Sequence, residues 1–209
     1  MSDDTWTRLV EAHNAAQAEP CEDPPRHEPT AAILACSDAR VPPSVLFDQL
    51  VGSLFVVRIA GNTANPAAVA SLDYAVDVLG VDLIVVLGHT NCGAVQAAVD
   101  GVCGGHLAPV VNPICELRDA MFRRQVKLDG AGTAPELART MPEVDPDRLT
   151  EQNVAKTVND LANHPGLVGQ AAAAGRLQIR GAIHDLRSGQ LTPVATLNHN
   201  QTPSPVEAS

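Results

Sequence analysis

The chain has 209 residues, 45% of them hydrophobic and 2% aromatic, with a formal net charge of −10 at neutral pH. That length suits one α/β domain with a buried core, and the acidic balance argues against a nucleic-acid surface, because phosphate contacts come mainly from Lys and Arg. The longest apolar runs, SLFVV and LIVVLG, fall far short of the roughly 20 residues of a membrane-spanning helix, and MSDDTW lacks the basic-then-apolar order of an export signal; the expectation is a cytoplasmic protein with a small substrate.

Residues 5 to 18, TWTRLVEAHNAAQA, set Trp6, Leu9, Val10 and His13 at helical spacing, and the breaker-rich EPCEDPPRHEPT follows. Residues 1 to 28 are read as an N-terminal helical arm on a proline-stiffened tether. From residue 31 the pattern changes to short apolar runs alternating with helical segments: AAILAC, PPSVLFDQL, SLFVVRIAG, PAAVASLDYAVDVLG, VDLIVVLGH and GAVQAAVDG. Strands apolar on both faces that alternate with helices predict a mostly parallel central sheet covered by helices. Residues 101 to 147 are punctuated by Gly and Pro around one helix predicted at 113 to 127. LTEQNVAKTVNDLANH and PGLVGQAAAAG read as helices, and Ser188-Gly189 as a hairpin turn inside LQIRGAIHDLRSGQLTPV. The catalytic domain is placed at 29 to 196, with a polar tail at 197 to 209.

Ligands of an open parallel sheet bind where strands end and helix N-termini point outward. Two strands end in chemistry: AILACSDAR carries Cys36, Asp38 and Arg40, and LIVVLGHTNCGAV carries His89 and Cys92. His89 and Cys92 are three apart, a spacing that on a first helical turn brings both side chains to one side. Alone the pair completes no metal site. With Cys36 it supplies two thiolates and an imidazole, and three protein ligands with one vacancy is the pattern of catalytic zinc. No C-x-x-C spacing supports a dithiol function, and no G-x-x-x-x-G-K string supports a phosphate loop. With five cysteines and no export signal, reduced thiols or metal ligands are expected rather than a disulfide framework; Cys21, Cys103 and Cys115 are read as ordinary small side chains.

CSDARV, FVVRIAGN, SLDYAVDVLG and VLGHTNCGAV, in that order, resemble the β-class carbonic anhydrases, strongly over residues 29 to 100 and weakly through the C-terminal helices and last strand. The resemblance implies one Zn2+ per chain on Cys36, His89 and Cys92, an Asp38–Arg40 dyad controlling the fourth zinc position, and attack of zinc hydroxide on carbon dioxide to give bicarbonate and a proton. It implies a substrate pocket of Phe55, Ala60, Tyr74 and Gly93, with Phe55 and Tyr74 reaching across a homodimer or a dimer-based oligomer. On residue type alone those two aromatics read more readily as core. His27 stands where many members carry a glutamine, and is read either as a pocket residue or as a solvated tether histidine. Ala39 and Ile59 depart from the commoner serine and asparagine without touching a proposed ligand. Ile33 replaces a tryptophan found three residues before the first zinc cysteine in members with a regulatory bicarbonate pocket. His13, His106, His164, His184 and His199 have no partner pattern. A hydrolase acting on a sulfur analogue such as carbon disulfide, and a zinc-bearing regulatory module without turnover, are the alternative functions.

Overall fold

Five consecutive buried residues, AAILA, form strand β1 (Ala31–Ala35) at an inner position of the sheet. The computed structural model describes residues 4–16, 25–128 and 144–197. Cys21, His199, residues 17–24 of the tether and the tail beyond residue 197 lie outside them. The remaining strands are β2 (Leu54–Arg58), β3 (Leu83–His89), β4 (Gln178–His184) and β5 (Leu191–Leu197), in the order β2-β1-β3-β4-β5. The first three junctions are parallel and β4–β5 is antiparallel, so the mostly parallel α/β sheet is as expected. The chain leaves β1 to one side to make β2 and returns past it to make β3. The β1–β3 junction is therefore the point at which the order reverses, where loops diverge and leave a crevice.

The helices are α1 (Thr5–Ala16), α2 (Pro43–Leu46), α3 (Pro66–Asp77), α4 (Gly93–Val99), α5 (Ala108–Leu128), α6 (Pro146–Ala162) and α7 (Leu167–Ala173). Asn65 and Asp145 cap α3 and α6 through their side chains, each followed by a proline. Ala32, Leu34, Ile84 and Val86 pack on one sheet face with Leu72 of α3 and with Val154, Val158 and Leu161 of α6. Each of these fully buried Val, Leu and Ile side chains contributes about 1.5–3 kcal/mol of transfer free energy. A second cluster, with Val95, Ile114 and Leu149, surrounds Cys36 and Cys92.

Two expectations need correction. Helix α5 starts at Ala108, five residues before the predicted start, and runs through Pro113. A proline inside a helix removes one hydrogen bond, and burial of Val111, Ile114 and Cys115 around it supplies the compensating packing. Cys103 and Cys115 are not ordinary free thiols: they are disulfide-bonded, with Cα atoms 6.3 Å apart. Gly101, Gly104 and Gly105, all at positive φ, turn the chain after α4 back toward α5 and bring the two cysteines together.

Candidate metal centre

The register pairs Ala35 of β1 with Leu87 of β3, so Cys36, one residue on, and His89, two residues on, lie at adjacent strand ends. Cys92 is the N-cap of α4. The Cys36 and Cys92 sulfurs are 3.9 Å apart, and with a His89 ring nitrogen they form a buried set whose donor atoms all lie within 4.8 Å of one another. His89 and Cys92 do not share a helical turn, as their spacing had suggested. His89 ends a strand, Asn91 takes φ +54, and Cys92 precedes the helix. Asparagine tolerates that left-handed turn. The turn is tied to the end of β4, because Thr90 N–H donates to the His184 carbonyl (3.1 Å) and Leu186 N–H donates to the Thr90 hydroxyl (3.0 Å).

His89 Nδ1 lies 2.9 Å from the Thr90 carbonyl. A carbonyl only accepts, so Nδ1 carries the proton and Nε2 presents a lone pair. Nε2 is buried and has no hydrogen-bond partner among the described residues. An orphaned buried nitrogen is costly, and a metal ion between it and two sulfurs removes the cost. The hydrogen bond from Cys92, with that from Gly61 N–H at 3.4 Å, lowers the Cys36 thiol against the opposing effect of burial. The hydrogen bond to Cys36, then burial and the charge on Cys36, push the Cys92 thiol up. Burial draws the His89 imidazole down, but Cys36 and the Thr90 carbonyl outweigh it and the net direction is up. The surroundings that attract a proton here equally attract a metal cation.

Arg40 brackets Asp38 with Nε on Oδ1 (2.9 Å), Nη2 on Oδ2 (2.6 Å) and its backbone N–H on Oδ1 (2.9 Å). The guanidinium holds the Asp38 carboxyl well below the usual carboxylate range. Asp38 Oδ2 is 3.9 Å from His89 Nε2. The Asp38 side chain is 18% exposed and that of Arg40 54%, so the pair meets solvent on the arginine side. Two anchors escaped sequence reasoning. Arg40 Nη2 also donates to the Asn91 carbonyl (3.1 Å), joining the two ligand loops, and Arg58 donates to the carbonyls of Cys36 (3.0 Å) and Asp38. A charged residue closing the apolar strand LFVVR was the available signal.

The structure places Ala60 directly before Gly61 and Gly93 directly after Cys92. His27, Phe55 and Tyr74 form a separate row beside the edge strand β2, with ring centroids 6.2 Å and 6.1 Å apart. His13 and His106 are exposed, and His164 accepts the Gly166 N–H at 3.0 Å.

A family model described as carbonic anhydrase matches residues 31–191. Carbonic anhydrase 2 of Mycobacterium tuberculosis is 37% identical over 163 residues, covering 78% of this chain and 73% of that protein. The chain belongs to the β-carbonic anhydrase family. The carbonic anhydrase of Pseudomonas aeruginosa is likewise 37% identical, over 79% of this chain and 73% of its own. Among solved structures, a tetrameric β-carbonic anhydrase of Sordaria macrospora superposes with a TM-score of 0.66 at 25% identity, covering 97% of this chain and 95% of that one. The β-carbonic anhydrase CafA of Aspergillus fumigatus gives 0.65 at 27% identity, over 93% and 84% of the respective chains. This β-carbonic anhydrase is an enzyme of carbon dioxide hydration, and none of its described helices is long and apolar enough to cross a membrane.

Proposed function

We propose that the chain hydrates carbon dioxide reversibly to bicarbonate and a proton at one zinc ion held by Cys36 Sγ, His89 Nε2 and Cys92 Sγ. The observation that carries this reading is the buried, unpartnered Nε2 grouped with two sulfurs. Zinc bound there would supply Lewis-acid activation of water for attack on the substrate. Asp38, whose Oδ2 lies 3.9 Å from His89 Nε2, accepts a hydrogen bond from water beside the ligand set and so orients it, and Arg40 keeps the carboxylate ionised and clamped so that it does not itself become a ligand. The bidentate Asp38–Arg40 pair supports a resting state in which the two are closed on each other. Ile33 is buried inside β1 at 2% exposure and offers no hydrogen bond to a regulatory bicarbonate beside that pair.

Ala60 and Gly93 are assigned to the substrate pocket because Gly93 follows the ligand Cys92, Ala60 precedes Gly61, whose N–H meets Cys36 Sγ, and neither has a bulky side chain. Phe55 and Tyr74 are assigned to the pocket of a neighbouring subunit, and His27, stacked on Phe55, is either a further pocket residue or a solvated histidine of the tether. Support comes from an edge strand with one free side, from Tyr74 at 48% exposure, and from Val45, Leu50 and Val51 at 73–82%. Helix α1 buries none of its residues, with Trp6 70% and Leu9 62% exposed, as befits an arm that packs on a second copy. The domain limits of 29 to 196 for the catalytic unit, with the arm at 1 to 28, follow from this reading.

Zinc quantification together with stopped-flow hydration tests the proposal. About one zinc per chain and turnover abolished in Cys36→Ser, His89→Ala and Cys92→Ser are expected. Full zinc occupancy in Cys36→Ser/Cys92→Ser would overturn the ligand assignment.

A further inference from the structure

Helix α6 turns a buried stripe toward the sheet that is apolar at Leu149, Val154, Val158 and Leu161 but polar at Thr150, Asn153 and Thr157. The Thr150 hydroxyl donates back into its own helix, to the Pro146 carbonyl at 2.9 Å. Asn153, 1% exposed, instead leaves the helix: Nδ2 donates to the Gly61 carbonyl at 2.8 Å, across 92 residues of sequence. Gly61 directs its own N–H at Cys36 Sγ, 3.4 Å away. Both bonds act on one residue, held at φ +76 and ψ +12. The N–H and C=O of Gly61 lie in adjacent peptide planes joined at its Cα, so an amide that anchors the carbonyl restrains the φ/ψ pair through which the N–H is aimed at the sulfur.

We propose that Asn153 is a positioning residue for the metal centre: through the Gly61 backbone it maintains an N–H···S hydrogen bond on Cys36 and so limits the charge that this thiolate donates to zinc. The inference rests on the zinc assignment above and is independent of the roles given to Asp38 and Arg40. Two thiolates formally neutralise a dication, so a hydrogen bond to one of them restores part of the positive charge on which activation of water depends. An amide buried in a largely apolar stripe is costly unless it is bonded. A leucine at 153 would avoid that cost at similar volume but would leave the Gly61 carbonyl unpartnered. The polar residue therefore answers a need of the loop rather than of the helix.

The experiment uses the full-length protein loaded with cobalt(II), whose sulfur-to-metal charge-transfer absorption reports how tightly the thiolates hold their electrons. Asn153→Leu and Asn153→Ala are expected to move that band to longer wavelength and to weaken zinc binding about 10- to 100-fold in chelator competition. Thr157→Val, one turn further along the same buried stripe, should leave the band in place. A folded, cobalt-loaded Asn153→Leu protein whose band coincides with the wild type overturns the inference, as does an equal shift in Thr157→Val. Should the Asn153 variants not fold, the wild type loaded with cadmium-113 decides: a scalar coupling between the metal and the Gly61 amide proton supports the bond, and its absence overturns it. Wild-type protein that takes up no cobalt or zinc overturns the metal assignment and this inference together, whereas an unmoved band in a loaded variant overturns the inference alone.

Discussion

Gly61 donates to Cys36 Sγ and accepts from Asn153, and Gly61→Ala tests how tightly its loop is held. At φ +76 an alanine enters the left-handed region, which costs about 1–2 kcal/mol for an L-residue. Its Cβ would lie 2.7 Å from Ile114 Cδ1 and 3.2 Å from Ala94 Cβ. Overpacking of this kind costs about 1–3 kcal/mol, and the low end applies, because the Ile114 contact is the far end of a side chain that can turn aside. The expected loss is about 2–3 kcal/mol. Gly80→Ala isolates the backbone part: Gly80 has φ +71 and nothing within 4 Å of an added Cβ, so about 1–2 kcal/mol is expected there. Both are read from urea unfolding at one protein concentration with excess chelator, so that neither association nor metal binding adds to the difference. If Gly61→Ala proves no more destabilising than Gly80→Ala at unchanged m-value, helix α5 is not the close-fitting roof of the loop and the reasoning fails.

Asp38→Asn and Arg40→Ala should retain zinc yet lose hydration activity about 100-fold or more, since they remove orientation and charge control without removing a ligand; unchanged stopped-flow turnover at pH of about 8 to 8.5 in either variant would contradict the roles proposed for the pair. Deletion of residues 1 to 28 should weaken self-association and lower specific activity on dilution. A fully active monomer, seen by sedimentation under assay conditions, would refute the placement of the arm on a second copy.

How much was readable before the structure follows from how far apart the interacting residues are. Cys36, Asp38 and Arg40 fall within five positions, so the cluster itself was visible in the sequence, whereas the pairing of Asp38 with an arginine two residues away was expected from the family resemblance. The strands were readable because burial on both faces leaves unbroken apolar runs such as AAILA and LIVVLGH. The start of α5 was not, because Pro113 imitates a first helical position while its tolerance inside the helix depends on neighbours from other elements. The Cys103–Cys115 bond spans 12 residues without any short motif, and only the glycine turns after α4 bring its ends together.

The longest-range dependence is that of the site on α6, a helix that contributes no ligand. A Cβ added to Gly88, the residue before His89, would lie 2.6 Å from Val154 Cγ2, and one added to Gly181 on β4 would lie 2.7 Å from Val154 Cγ1. These two glycines let α6 sit against β3 and β4 more closely than any other residue type would allow. From that seat Val154 backs the strand end that presents His89, and the adjacent Asn153 reaches the Gly61 carbonyl. Consecutive residues of one helix thus pack behind the strand residue that precedes the imidazole and bond the loop whose amide faces Cys36. In the sequence this appears only as the pair NV in EQNVAKTV, a polar residue interrupting a buried stripe. Periodicity identifies the helix, and the interruption marks the turn of it that serves the site.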